Sequence, residues 1–241
     1  MCWIRYGRSL RQNEMKKDKN IILDNFIWRF AERCGAQLVT AVVTLLLARI
    51  LVPEDYGRTA LVAVFINILQ VFIDSGLGTA LIQKKDADYL DFSSVFYFNF
   101  AVCLVLYAGM FIAAPYIAAF YKDPSLTPVV RVASLTLVFS GVKGIQQAYV
   151  SRNMMFKRFF FATLGGTLFS TFLGLGMAYA GFGVWALVAQ QLSNTAIDTL
   201  ILWLTVHWRP KAVFSWQRLK GLLSYGWRLL ASSLLDTVYN N

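Results

Sequence analysis

The stretch Phe92 to Phe120, FSSVFYFNFAVCLVLYAGMFIAAPYIAAF, runs for 29 residues without one Asp, Glu, Lys or Arg. A helix crossing the hydrocarbon core of a bilayer needs about 20 predominantly apolar residues, so this segment spans with length to spare for tilt or for extension past the interface. It ends at Lys122-Asp123-Pro124, where charge and a helix-breaking residue coincide. Working outward, two windows of the same kind precede it, Phe26 to Leu51 and Thr59 to Ile82, and three follow, Pro128 to Val150, Phe159 to Ala180 and Val184 to Val206. Charged, Pro or Gly-rich breaks separate them, among them Pro53-Glu54-Asp55-Tyr56-Gly57, Lys84-Lys85-Asp86 and the tight Gly181-Phe182-Gly183 turn. The expected fold is an all-α integral membrane bundle.

Composition agrees. Of 241 residues, 57% are hydrophobic, 15% aromatic and 15% charged. A soluble domain carries roughly 45–50% apolar and about 25% charged residues, so the balance excludes most soluble classes and disorder. The expected division is a basic cytoplasmic tail over 1–25, a six-helix lobe over 26–207, an amphipathic cytoplasmic connection over 208–221, and a seventh span over 222–241 that the sequence cuts short. The polar first 24 residues and the long first window argue against a cleavable signal peptide. The connection, with His207, Trp208, Arg209, Lys211, Phe214, Trp216 and Leu219, has the character of a segment lying in the interface, and His207 is read as interfacial rather than as a ligand or base.

The net charge of +10 has several explanations until the basic residues are placed. Fifteen of the 23 fall in the tail and in the second, fourth and sixth connections; only Arg58 and Lys122 fall in the other three. Cytoplasmic loops carry the Lys and Arg excess, so the tail and both ends of the lobe are expected on the cytoplasmic side. No nucleic-acid partner is expected.

Ionisable groups at membrane depth cost about 2.5–3.5 kcal/mol on insertion scales and by default face a bundle interior or an aqueous cavity. At 100° per residue the first span puts Arg29, Glu32, Arg33, Gln37, Thr40 and Thr44 on one stripe opposite Leu38, Val42 and Leu45. The second aligns Asn67, Gln70 and Asp74. The fourth aligns Thr136, Ser140, Lys143, Gln146 and Gln147, and the sixth Gln190, Asn194 and Asp198. Four helices are therefore expected to line a polar interior, with the third and fifth lipid-facing or peripheral. Arg33, Asp74, Lys143 and Asp198 each lie roughly 12 Å from the cytoplasmic end of their helix, which predicts a charged layer at one depth. These groups either pair with one another to lock helix packing or serve a cavity. Arg29 has the alternative of reaching back to the headgroups. Gly166, Ser170, Gly174 and Ala178 form a small-residue seam on the fifth span, expected to admit a neighbouring helix.

No soluble catalytic constellation is present: no phosphate-cradling Gly loop, no His-Glu-x-x-His, no serine elbow. Cys2, Cys34 and Cys103 lack metal or redox spacing and read as packing residues. No enzyme activity, metal or cofactor is expected.

The stretch Ala48-Arg49-Ile50-Leu51-Val52-Pro53-Glu54-Asp55-Tyr56-Gly57, with Phe72-Ile73-Asp74-Ser75-Gly76-Leu77-Gly78-Thr79-Ala80-Leu81-Ile82-Gln83, resembles the N-terminal signature of Wzx-type polysaccharide flippases. These are the lipopolysaccharide and exopolysaccharide exporters of the multidrug/oligosaccharidyl-lipid/polysaccharide superfamily. Gln147 through Lys157 is similar to that family's segment after the fourth helix, and Trp208-Arg209-Pro210 through Trp227 to its entry into the seventh. Pro53 is expected to stop the first helix and Gly57 to permit the turn back, while Gly76 and Gly78 allow a close approach or a helix break. The resemblance implies two six-helix lobes around a central cavity in the bacterial inner membrane, flipping an undecaprenyl-pyrophosphate-linked oligosaccharide by alternating access. It implies lipid-linked oligosaccharide, membrane lipids and the polysaccharide polymerase and glycosyltransferase machinery as partners.

On that resemblance Arg29, Arg33 and Lys143 attract the lipid pyrophosphate. Gln37, Asn67, Gln70, Gln146, Gln147, Gln190 and Asn194 bond sugar hydroxyls, and Glu32, Asp74 and Asp198 orient the bases or exchange a coupling cation. Two alternatives remain open: a cation-coupled exporter of small molecules on the same scaffold, and a non-transporting scaffold or inactive fragment.

Overall fold

The computed structural model describes residues 27–31, 33–74, 77–84, 86–224, 226–227 and 232. The tail over 1–25 and most of the stretch over 222–241 therefore lie outside the described residues. Eight helices follow in order: α1 (Ile27–Ile50), then α2 (Pro53–Asp74), α3 (Leu77–Gln83), α4 (Tyr89–Phe120), α5 (Leu126–Ala133), α6 (Leu135–Arg152), α7 (Phe156–Tyr179) and α8 (Val184–Thr205). The connection is also helical over 216–224. The all-α bundle is as expected, and among the described residues five stretches, α1, α2–α3, α4, α5–α6 and α7, are long and apolar enough to cross a membrane.

The sixth expected span, α8, has the length, 22 residues, but carries Gln190, Gln191, Asn194 and Asp198. It packs against α2, α5, α6 and α7, which bury Asp198 and half-bury Gln190 and Asn194, while Gln191 is exposed. Its partner α7 presents the small-residue seam: Gly166, Ser170, Gly174 and Ala178 are all buried. A Cβ on Gly166 would stand 3.0 Å from the Asn194 carbonyl and side-chain oxygens, and one on Gly174 2.9 Å from the Gln190 Cβ. The seam thus admits α8, so α7 is not merely peripheral.

Three other expectations change. Pro53 does not lie in a turn: it opens α2, where its missing N–H costs nothing, and Glu54 and Asp55 place negative charge in the first turn, favourable to the helix dipole. Gly57 sits inside α2, and the reversal uses only Leu51 and Val52. The fourth window is divided at Ser134, whose Oγ donates to Val130 O at 2.6 Å while Thr136 Oγ1 donates to Ala133 O at 2.7 Å. Such back-bonding competes with the backbone ladder and bends helices. Finally, α4 is not lipid-facing along its whole length. Asp91 through Phe96 are buried at its start, whereas Tyr116 and Phe120 near its end are 74% and 79% exposed.

Side chains tie the helix ends into two layers. At one end Arg58 Nε donates to Asp123 Oδ2 at 2.8 Å, joining the start of α2 to the α4–α5 turn, and the Asp55 carboxylate lies against Gly183 of the α7–α8 turn. At the other, Arg152 Nη1 donates to the carbonyls of Leu81 and Lys84 at 2.7 and 2.6 Å, and Arg158 donates to Thr205 O. The α3–α4 turn, the α6–α7 turn and the end of α8 therefore share one face, which holds Lys84, Arg152, Lys157, Arg158, Arg209, Lys211, Arg218 and Lys220. This is the basic end.

A candidate polar site within the lobe

The apolar interior makes each buried polar group informative, because an unpartnered one costs roughly 1–3 kcal/mol and a lone charge more. Lys143 on α6 and Asp198 on α8, 55 residues apart in the chain, meet at 2.9 Å between Nζ and Oδ2. Asp198 is buried, and its second oxygen, Oδ1, has no hydrogen-bond partner among the described residues. Asn194 and Gln190 stand one and two turns before Asp198 on α8, against the glycines of α7. Thr199 Oγ1 donates to Thr195 O at 2.6 Å and reaches Phe139 O of α6 at 3.4 Å.

The two glutamines of α6 separate. Gln146 is fully buried and its Nε2 donates to Trp208 O at 3.1 Å, so its amide holds the chain leaving α8. Gln147 lines a polar cavity of about 210 Å³ with Thr79, Asn99 and Ser151, and Gly78 forms part of its wall. Asn99 donates to Gly141 O at 3.3 Å.

The cations expected on α1 do not join Lys143 in one cluster. The Arg29 guanidinium lies 4.9 Å from the Phe156 ring centroid and 4.6 Å from that of Phe159, so its positive charge faces the aromatic start of α7. Arg33 and Gln37 border an open, shallow depression of α1 beside Cys34 and Ala36. Both are exposed, as are Thr40, Thr44 and the opposite Leu38, Val42 and Leu45. Val43 and Leu47 pack α1 against Ala178 and Ala186. Asn67 is exposed on α2 and Gln70 half-buried. Glu32 lies outside the described residues, as does the side chain of Asp74 at the end of α2.

Sequence reasoning missed a second polar cluster, at the basic end. Asp88 caps α4: its Oδ1 accepts from the Asp91 N–H at 3.1 Å, and Asp91 Oδ2 accepts from the Asp88 N–H at 3.1 Å. Asp91 has no exposed surface, and Lys84 Nζ donates to it at 2.6 Å. Arg218 donates through Nη1 to Asp88 Oδ2 at 2.5 Å and stands 3.7 Å from Asp91 Oδ1. The backbone N–H of Asp91, helped by Arg218, holds the Asp88 carboxyl below the usual aspartate range, and Asp88 in turn raises Arg218. The available signal was the capping-box spacing Asp88-x-x-Asp91 ahead of an apolar run.

The cluster fastens the connection. The amides of Lys211 and Ser215 donate to Ser93 Oγ at 3.3 Å and Ser94 Oγ at 2.9 Å. Trp208 is enclosed by the rings of Tyr89, Phe92, Phe96 and Tyr149, centroids 5.8 to 6.3 Å away. Leu219 and Leu222 join the same core. Among the described residues no group of His, Cys, Asp and Glu gathers as a metal set.

Fold and polar residues together define a membrane-embedded helical lobe with paired charges in an apolar interior. Residues 46–241 match the polysaccharide biosynthesis protein family, and the chain belongs to it. It is 24% identical over 214 residues to the succinoglycan biosynthesis transport protein ExoT of Rhizobium meliloti (strain 1021), covering 89% of this chain and 43% of that protein. It is 28% identical over 179 residues to the teichuronic acid biosynthesis protein TuaB of Bacillus subtilis (strain 168), covering 71% and 36%. To the lipopolysaccharide biosynthesis protein WzxC of Escherichia coli (strain K12) it is 24% identical over 202 residues, covering 81% and 40%. The chain spans 36–43% of the length of these curated relatives. No solved structure matches it significantly. The kinship supports a non-enzymatic role.

Proposed function

We propose that this chain is the N-terminal lobe of a Wzx-type exporter that flips an undecaprenyl-diphosphate-linked oligosaccharide across the bacterial inner membrane by alternating access. The observation that carries the proposal is the pair of half-buried Lys143 with buried Asp198 between α6 and α8, in a lobe of a polysaccharide biosynthesis family. A buried ion pair is a poor stabiliser compared with apolar side chains of similar volume, so its presence in a membrane interior suits a functional role. Lys143 is the cation offered to the lipid diphosphate. Asp198 restrains it, and Gln190, Asn194 and Gln147 supply hydrogen bonds for sugar hydroxyls. The exposed stripe of Arg33, Gln37 and Asn67 belongs to the face that a second lobe would complete. The basic end, with the N-terminus, faces the cytoplasm, by the Lys and Arg excess. Lipid-linked oligosaccharide, membrane lipids, and polymerase and glycosyltransferase machinery are the partners that follow.

Lys143→Ala and Arg33→Ala, each placed in a full-length parent, are expected to abolish surface polysaccharide while leaving membrane insertion intact. Normal export in both variants would overturn the assignment. A second transport class is favoured by one observation, the buried Oδ1 of Asp198 that has no hydrogen-bond partner among the described residues, which suits a coupling cation. Cation-driven efflux of small molecules from vesicles, with no movement of lipid-linked sugar, would select that class. Exchanging the charges, Lys143→Asp with Asp198→Lys, discriminates against a packing lock: export retained in the double variant means that the pair only holds the helices together.

A further inference from the structure

Between the end of α3 and the helical part of the connection lies a cleft of about 480 Å³. Its polar wall is Gln83, Lys84, Gln217 and Arg218, and its apolar wall includes Ala80 and Leu222. Asp88 and Asp91 pair with the two cations from outside the lining, so among the described residues the cleft wall carries two cations and two amides and no acid. Both described ion pairs of Arg218 run through Nη1. Nε and Nη2 of Arg218 take part in neither of those pairs, and Lys84 Nζ has three ammonium protons, of which one goes to Asp91. The cleft stands where the apolar span Pro53–Gln83 ends, which is where the interface falls for a helix that crosses the bilayer.

We propose that this cleft binds the phosphate or diphosphate headgroup of a membrane lipid. Arg218 and Lys84 take the phosphate oxygens, the amide of Gln217 donates to a remaining one, and Ala80 and Leu222 meet the first carbons of the lipid chain. A planar fork beside an ammonium suits phosphate more than a monovalent anion, because several strong acceptor oxygens are satisfied at once. The apolar wall and the position at the interface select a lipid over the same anion free in solution. This goes beyond the export proposal, since the headgroup binds here whether or not the chain moves it.

The test uses the whole chain in dodecyl maltoside micelles, which carry no phosphate, titrated by calorimetry with geranylgeranyl diphosphate and, separately, with inorganic diphosphate. Saturable binding of the prenyl diphosphate at least tenfold tighter than of inorganic diphosphate is expected. Equal affinities would overturn the lipid as occupant. Arg218→Gln and Gln217→Glu are expected to weaken binding tenfold or more, Gln217→Lys to preserve or tighten it, and Lys220→Gln, on the same segment but outside the cleft, to change it less than twofold. Gln217 makes none of the cluster's ion pairs, so its two opposite charge changes separate binding from folding. Equal weakening by every variant that removes positive charge, Lys220→Gln included, would mean diffuse attraction to a basic surface and would overturn the site. Failure here leaves the Lys143 prediction standing, and normal export in Lys143→Ala leaves the cleft standing.

Discussion

Lys143 and Asp198 illustrate how differently a single residue and a pair behave in an apolar interior. Removing one partner strands the other's charge, a loss of about 3–5 kcal/mol, whereas replacing both with apolar side chains is often neutral. Lys143→Met is therefore expected to lower the unfolding midpoint in detergent markedly, and Lys143→Met with Asp198→Leu to recover most of it without recovering export. A single variant as stable as the parent would show that the pair is not buried in solution. Gly141 makes a second residue-scale point. A Cβ there would stand 2.1 Å from Cys103 Sγ, while one on Gly109 meets nothing within 4 Å. Gly141→Ala should thus destabilise by about 1–3 kcal/mol, Gly109→Ala should not, and Cys103→Ala added to Gly141→Ala should restore part of the loss, measured by thermal unfolding. Both charged residues were legible as inward-facing from helical phase. Their pairing was not, because phase says which side of its own helix a residue occupies and nothing about which helix lies opposite.

At the scale of elements, α4 shows a helix supported from outside. Pro115 has no N–H for the carbonyl of Phe111 one turn earlier. That carbonyl instead accepts from Arg131 Nε at 3.4 Å, and the guanidinium lies 4.2 Å from the Phe111 ring centroid. The start of α4 is held by Asp88 and Asp91, which also clasp the connection. The Asp88 carboxyl is held below the usual aspartate range, so the charged cap adds stability at and above that range and loses it only as pH falls through the lowered value. The clasp should hence survive mild acid, with trypsin cleavage at Lys211 and Arg218 no faster at pH 5 than at pH 7 once corrected for enzyme rate. Ser94→Ala with Asp91→Asn removes the Ser215 amide's acceptor and the buried charge of Lys84's partner, and cleavage at both sites should accelerate at neutral pH. The spans themselves were readable from hydropathy. The burial at the start of α4 was not, since Phe92 to Phe100 is apolar enough for either lipid or core.

For the molecule as a whole, the basic end has two physical roles. Its Lys and Arg excess is an orientation signal, and its arginines also satisfy helix C-termini: Arg152 takes the last carbonyls of α3, Arg158 and Arg209 those of α8. Helices α3, α6 and α8 all end on this side, so cations there meet the negative ends of the helix dipoles as well as the unpaired carbonyls. Arg158→Gln is expected to cost roughly 1–3 kcal/mol without inverting the topology, measurable by thermal unfolding alongside a cysteine-accessibility map of both ends.

Sequence by itself determined the all-α membrane class, the rough course of the long apolar helices, the polar stripes and the charge asymmetry of the two ends. Bilayer thickness and helical rise act along one dimension, and one dimension is what a sequence displays. Tertiary structure alone decided that Lys143 answers Asp198, that Gln146 serves the backbone at Trp208 while Gln147 lines a cavity, that Arg29 faces aromatic rings, and that Arg218 closes on Asp88. Each of these contacts joins segments distant in the chain, and which of several chemically equivalent partners is met depends on helix packing, which small residues such as Gly141, Gly166 and Gly174 allow at close range.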